Sequence, residues 1–326
     1  MNFFQLSRFP ELQRRPYQVA PLGGAGGLSG GTIWRVECED QAYALRLWPA
    51  ETDLARLRRI HALQRQWREA NLKFIPQLYT TIEGDSFVEN AAGYWELAEW
   101  MPGRAIEPAA ITPSRLDAIA AAVATIHQVA AARKTTFDIS PGLRQRYAML
   151  ERWRDIDRRQ LDAAIVRLAW PEFADFAQQT LELFAQGVER IAAELRLALQ
   201  TPLKLHDCLR DLHREHILLT DDSVSGILDF GAARAESPAG DLARLCGSLF
   251  EDDRGGWADF LARYEQAHPL SEAERHAIIQ FDRSAVFLTG LQWIEWIALD
   301  QRHFSQPKAV LARLNLSLRR MRFLLK

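Results

Sequence analysis

Lysine is nearly missing from this chain. Only Lys73, Lys134, Lys204, Lys308 and Lys326 occur among 40 basic side chains, so arginine carries almost all of the positive charge. Cysteine is sparse as well: Cys38, Cys208 and Cys246 are odd in number and form no Cys-x-x-Cys pair, which excludes a disulfide framework and points to a reducing compartment. No stretch reaches the roughly 18 apolar residues of a membrane span, and the opening MNFFQLSRFPELQRRP meets Arg8 before any run long enough for a signal peptide. A cytoplasmic protein with no membrane association is expected. Neither sign of charge is in excess, 40 basic against 42 acidic side chains, so no global field draws nucleic acid or an anionic surface. Arg-Asp-Ile-Asp-Arg-Arg at 154–159 alternates its charges and reads as a solvated helix face rather than a nucleic-acid patch. Internal repeats and low-complexity tails are absent. With 48% hydrophobic and 25% charged residues over 326 positions, the chain is globular and long enough for two lobes.

What the sequence does have is concentrated. Six of 18 glycines fall between Gly23 and Gly31, immediately before TIWRVECED and QAYALRLWP. Those two runs flank a Glu-Asp turn and predict a hairpin in which Trp34, Val36, Tyr43, Leu45 and Leu47 alternate. A helix is expected from Glu51 to about Ala70, with Leu54, Leu57, Ile60, Leu63 and Trp67 three or four apart, followed by strands at IPQLYTTIEG and GYWELAEWMPG. The Pro-Gly turn at 102–103 closes a small α+β unit, residues 1–103. Residues 104–326 read as mainly helical, with helices at 114–133, 142–168 and 172–199 and from Gly240 onward, and strand-like patches at 203–206, 216–220 and 224–229. Phe287, Leu291, Ile294, Ile297 and Ala298 mark one buried face near the C-terminus, with Trp293 and Trp296 beside it as core.

Nearly all the concentrated polar chemistry lies in LHDCLRDLHREHILLTDDSVSGILDFGAA, residues 205–233. A solvated loop with local caps would account for such a stretch. A functional reading has Asp211 and Asp229, 18 residues apart and delivered by neighbouring strands, facing a shared cleft. Two carboxylates with a glycine-rich loop suit phosphoryl transfer, which needs oxygen ligands for magnesium, a base for the attacking hydroxyl and N–H groups over the phosphates. A Walker loop would end in Gly-Lys-Ser/Thr, whereas Gly30-Gly31-Thr32 has no lysine. A dinucleotide fingerprint would place glycine where Ser29 stands and would open a helix rather than a hairpin.

The pair LRDLHREHILL and ILDFGAA, followed by Asp241-Leu242-Ala243, resembles the motifs of the aminoglycoside phosphotransferase and choline kinase-like family, small-molecule relatives of protein kinases. The likeness extends through LRLWP, AEWMPG and the ATIH helix end at 124–127. It implies an α+β, bilobal protein-kinase-like fold with a small antiparallel-sheet N-lobe, 1–103, that binds nucleotide, and a larger helical C-lobe, 104–326. By the same resemblance Asp211 is the catalytic-loop aspartate, preceded by Arg210, and Asp229 is the metal-binding aspartate. Asp241 ties the loop to the next helix. Gly27, Ser29 and Gly30 lie in the phosphate cover, Arg46 is the strand-borne cation, and Glu99 to Met101 present backbone to a purine. The implied cofactors are ATP and Mg2+.

Departures from the family pattern also matter. His216 stands where a metal-binding asparagine belongs, and imidazole suits Mn2+, zinc or iron better than Mg2+. Leu209 replaces the motif histidine and Arg46 the strand lysine, a change that keeps the charge and adds a fork. His61 occupies the position of the helical glutamate expected to pair with that cation, with Glu51 and Glu69 near opposite ends of the helix. The expected activity is transfer of the ATP γ-phosphoryl group to a hydroxyl of a small molecule. The alternative is a catalytically impaired, nucleotide-binding relative. A metal-dependent hydrolase using His206, Cys208, His213 and His216 is the third reading, though His213-x-x-His216 is short of the usual helical spacing. The last 26 residues contain no Asp or Glu, which argues against an acidic pocket for a cationic antibiotic and leaves an uncharged or anionic acceptor open.

Overall fold

The computed structural model describes residues 4–13, 15–22, 32–39, 41–304 and 307–326. The chain divides into two compact units, Met1–Ala130 with Arg214–Arg234, and Ala131–His213 with Ala235–Lys326. The first therefore contains all of 1–103 together with most of the next helix and the segment that carries Asp229. No described helix is long and apolar enough to cross a membrane.

In chain order the first unit builds β1 (Gln18–Pro21), β2 (Thr32–Cys38), β3 (Gln41–Pro49), α1 (Leu54–Glu69), β4 (Val88–Asn90), β5 (Gly93–Glu99), β6 (Arg104–Ala105) and α2 (Pro113–Arg133). The strands β1 to β5 form an antiparallel sheet in the order β1-β2-β3-β5-β4. The expected hairpin is β2–β3, with Trp34 opposite Leu45 and Val36 opposite Tyr43. These four residues are buried with Leu6, Phe9, Leu12 and Leu97, and Trp34 stacks on Trp95 at 5.3 Å. Helix α1 starts where the carboxylate of Asp53 accepts the N–H groups of Ala55 and Arg56, satisfying two of the donors a helix start leaves open.

The chain then enters the second unit through β7 (Thr136–Asp138), α3 (Pro141–Arg154), α4 (Arg158–Arg167), α5 (Pro171–Ala198) and β8 (Leu203–Cys208). It returns to the first unit for β9 (Ile217–Thr220) and β10 (Ser223–Ile227), which extend a three-stranded sheet with β6. The second unit resumes with β11 (Arg234–Glu236), which joins β8 and β7, and then α6 (Pro238–Phe250), α7 (Arg254–Ala267), α8 (Glu272–Ile294) and α9 (Pro307–Leu324). Caps match the helix starts: Ser140 and Ser237 precede Pro141 and Pro238, and Ser271 with Glu274 closes a capping box. The expected apolar face of Phe287, Leu291, Ile294, Ile297 and Ala298 is buried, and Trp293 meets Trp296 edge-on at 5.3 Å.

Two expectations require correction. IPQLYTTIEG is not a strand: Leu78 makes a lone bridge to Ala98, and the chain then turns as the Thr81 hydroxyl accepts the N–H groups of Glu83 and Asp85 and Gly84 takes φ +86°. Local hydroxyl-to-backbone bonds override the β-propensity of Tyr-Thr-Thr-Ile. The single helix expected over 142–168 is two helices, α3 and α4, because the carboxylate of Asp157 accepts the N–H groups of Arg159 and Gln160 and starts a new helix there.

Gly187 is a point of close approach between α5 and α8, where an added Cβ would press into the Phe287 ring and the Leu325 side chain. Gly187→Ala is expected to lower stability by about 1–3 kcal/mol, the usual cost of overpacking a filled core. The check is a lower urea midpoint with an unchanged slope; an unchanged midpoint contradicts the close approach.

Candidate active site

In the first unit, Arg46 and Trp48 alternate onto one face of β3, and the Arg46 guanidinium lies 3.9 Å from the centre of the Trp48 ring. Its Nη1 reaches Oδ1 of Asp229 at 3.4 Å. Asp229 follows β10 with φ +59°, a conformation unusual for a residue with a side chain, and its Oδ1 accepts the Gly231 N–H at 3.2 Å. The loop is tied down on several sides: Leu228 N–H donates to the His216 carbonyl at 2.8 Å, Arg56 donates to the Gly231 carbonyl, and Phe230 packs on Trp67. His216 Nε2 stands 3.9 Å from Asp229 Oδ2. Burial raises the Asp229 carboxyl pKa, but Arg46, His216 and the Gly231 N–H together outweigh it, and the net shift is downward. Asp229 is therefore an ionised carboxylate flanked by a guanidinium and an imidazole.

The missing helical glutamate has a structural answer that sequence reasoning did not find. His61 on α1 is fully buried and directs Nε2 to Oε2 of Glu96 at 2.7 Å and Nδ1 to the Ser86 hydroxyl at 2.8 Å. Glu96 lies on β5 directly opposite Arg46 in the β3–β5 register and also accepts the Trp48 indole N–H at 2.5 Å. An ionised carboxylate only accepts hydrogen bonds, so the proton on His61 that faces it sits on Nε2. Burial raises the Glu96 carboxyl, yet His61, Arg46 and Trp48 more than offset this and lower its pKa. The helix thus supplies an imidazole and the strand supplies the carboxylate, where a helical acid and a strand cation were expected to pair directly. A signal was present: Glu96 is the one charged residue within the apolar run Tyr94-Trp95-Glu96-Leu97-Ala98. Glu51 and Glu69 are exposed.

At the end of β5, Glu99 takes up Arg68 at 3.0 Å, and its N–H donates to the Gln77 carbonyl. The Trp100 N–H donates to the Ala42 carbonyl, and Met101 is buried. Gly27, Ser29 and Gly30 lie outside the described residues.

In the second unit, the turn after β8 carries Arg210 and Asp211. Arg210 has φ +66°, and the Asp241 carboxylate accepts the N–H groups of Leu209 and Arg210 at 2.8 and 2.5 Å, which ties the turn to the start of α6. Asp211 is half-exposed, and its Oδ1 accepts Nε and Nη2 of Arg244 at 3.1 and 3.0 Å. Arg210 Nε lies 3.8 Å from Glu236 Oε2, a buried carboxylate that also receives Ser140, Gly142 and Ser237. The thiol of Cys208 donates to the Glu236 carbonyl at 3.2 Å, and burial pushes its pKa well up.

Comparison with known proteins bears on the family and the fold. A family model described as a phosphotransferase enzyme family matches residues 23–277. A homoserine kinase of Methylocella silvestris is 31% identical over 153 residues, 43% of this chain and 47% of that one, so the match spans about half the length of either protein. Among solved structures, an amicoumacin kinase in complex with AMP-PNP and Ca2+ superposes with a TM-score of 0.62 at 17% identity, over 97% of this chain and 91% of that one. An ethanolamine kinase of Plasmodium vivax gives 0.57 at 14% identity, over 94% and 81%. The expected α+β kinase-like fold is borne out.

Proposed function

Because this chain belongs to the phosphotransferase enzyme family, we propose that it transfers the γ-phosphoryl group of ATP to a hydroxyl of a small molecule. The observation that carries the proposal is Asp229, kept ionised despite burial between Arg46 and His216. Polyphosphate binding needs such a combination of fixed positive charge and a ligand for a divalent cation. The donor set fits that cation: Asp229 Oδ2 and His216 Nε2 stand 3.9 Å apart, and the imidazole favours Mn2+ over Mg2+. When bound, the ion would neutralise charge on the phosphates.

In this reading residues 1–103 form the nucleotide lobe and 104–326 the acceptor lobe. Gly27, Ser29 and Gly30 cover the phosphates through backbone N–H groups, and the Arg46 guanidinium contacts them from β3. The N–H groups of Glu99 and Trp100 are already donated to Gln77 and Ala42, so the N–H this segment offers a purine is that of Met101. Asp211 orients the acceptor hydroxyl and takes its proton. The hydroxyl oxygen bonds to the γ-phosphorus as the bond to the β–γ bridging oxygen breaks, and that electron pair leaves with ADP. Arg244 orients the Asp211 carboxylate, and Arg210 holds its side of the turn against Glu236.

AMP-PNP with Mg2+ or Mn2+ should stabilise the full chain by about 2.7 kcal/mol at 100 times its Kd. Asp229→Asn should remove the metal-dependent part of that stabilisation. If neither ion gives any stabilisation, the reading fails; stabilisation without ADP release on any alcohol would leave a nucleotide-binding protein.

A further inference from the structure

In the second unit Arg244 and Arg210 flank the proposed base, and Arg146 lies near enough to both to feel their charges. Gly142 near the start of α3 and Gly240 near the start of α6 both abut the ring of Phe281 on α8, and Gly142 also abuts Glu236. Arg146 and Arg244 each stand four residues further along, on the same helix faces as those glycines. Arg244 grips Asp211, and Arg210 lies against Glu236. The Arg146 guanidinium sits over the Phe281 ring, 5.2 Å from its centre.

The nearby acids already have partners, Asp211 in Arg244 among them. Glu236 is taken by Ser140 and by the N–H groups of Gly142 and Ser237, and Asp282 by Arg320 at 3.0 and 3.1 Å. Among the described residues no carboxylate stands within ion-pair distance of Arg146. Burial lowers its pKa, the charges of Arg244 and Arg210 lower it further, and Glu236 and Asp282 offset only part of this, leaving it at about 10. Like charges brought together in a partly buried setting are stabilised by an anion that reaches them. A polycationic acceptor would meet repulsion in the same place.

We propose that Arg146 and Arg244, with Arg210, form an oxyanion subsite next to Asp211, so that the acceptor is an alcohol carrying a carboxylate or a phosphate. The inference rests on the phosphotransferase reading and narrows its acceptor class. A guanidinium fork binds either group through paired N–H donors.

The test uses the full chain with ATP and Mn2+ or Mg2+ on matched acceptors that differ by one anionic group: L-homoserine against 3-aminopropanol, L-serine against ethanolamine, glycerate against ethylene glycol, and glycerol 3-phosphate against glycerol. The anionic member of at least one pair should be preferred by tenfold or more in kcat/KM, and the phosphate pair separates the two anion sources. Arg146→Gln should erase that preference mainly through KM. Arg146→Lys, which keeps the charge and loses the fork, should retain part of it and serves where the glutamine variant fails to fold. A second measurement avoids phosphotransfer altogether: thermal stabilisation by L-2-aminobutyrate against propylamine and by inorganic phosphate, in wild type and both variants. Anion-specific stabilisation that weakens in the variants, with no turnover on any acceptor, would keep the subsite and sink the phosphotransferase reading. Preference for the member without the anion overturns the subsite, as does equal response to both, or a preference unchanged in a folded variant.

Discussion

Asp211→Ala is expected to lower the rate of phosphoryl transfer by about 10²- to 10⁴-fold, the range a positioned general base contributes, while leaving the fold intact. The second half of that expectation makes the first informative. The Asp211 side chain is 39% exposed and its partner Arg244 44% exposed, so their ion pair belongs to the class worth about 0–1 kcal/mol. The backbone of the turn is held independently by Asp241, which accepts the N–H groups of Leu209 and Arg210. Removing the Asp211 carboxylate therefore takes away a proton acceptor without loosening the residues that present it. Single-turnover rates with a working acceptor, beside urea midpoints of wild type and variant, make the comparison. A fall in rate of less than tenfold with equal midpoints would remove Asp211 from the chemistry.

Glu96→Ala should have the largest effect on stability, about 3–5 kcal/mol, because it strips two buried donors of a charged acceptor and a hydrogen bond to a charged group is worth about 1.5–3 kcal/mol. Two donors lose their acceptor at once, His61 Nε2 and Trp48 Nε1, in a region where water does not replace it. The nearby Arg46 also loses a negative charge that sits opposite it across the β3–β5 ladder. The pH dependence has a definite sign. Because the Glu96 pKa is lower in the folded protein than its ordinary value near 4.5, its contribution is fully present above that value and is lost as pH falls through the folded pKa. Urea unfolding of wild type and Glu96→Ala should thus differ most near pH 7 and converge as the medium is acidified below about 4.5. A difference that stayed constant to pH 3, or one under 1 kcal/mol at neutral pH, would show that Glu96 is not an ionised partner of His61.

Much of the architecture was legible because its signals are local. The alternation of Trp34, Val36, Tyr43 and Leu45 appears as the β2–β3 hairpin, and the spacing of Leu57, Ile60, Leu63 and Trp67 as the buried side of α1. Pro171 opens α5 as read. Errors arose where a side chain competes with the backbone, as Thr81 does at a turn and Asp157 at a helix start, since such bonds depend on which conformation the chain has already reached. Strands of two or three residues, β4, β6, β7 and β11, carry no period at all and exist only through their partners.

The proposed machinery divides in the same way. Motif order singled out Asp211, Asp229, Asp241 and Arg46 as candidates because these residues stand at set intervals along the chain, and the sequence alone carried that information. Sequence order also exposed a gap, His61 in place of an acid. Filling the gap with Glu96, 35 residues away, required the β3–β5 register, which is set by two strands pairing through space rather than by any spacing between His61 and Glu96. The lysine shortage was likewise plain from the start, yet its consequence was not. That Arg46 is engaged with Asp229, while Arg146 stands among other arginines with its neighbouring acids already taken, was decided by tertiary packing, because a charge acquires its partner from whatever the fold brings within a few ångströms.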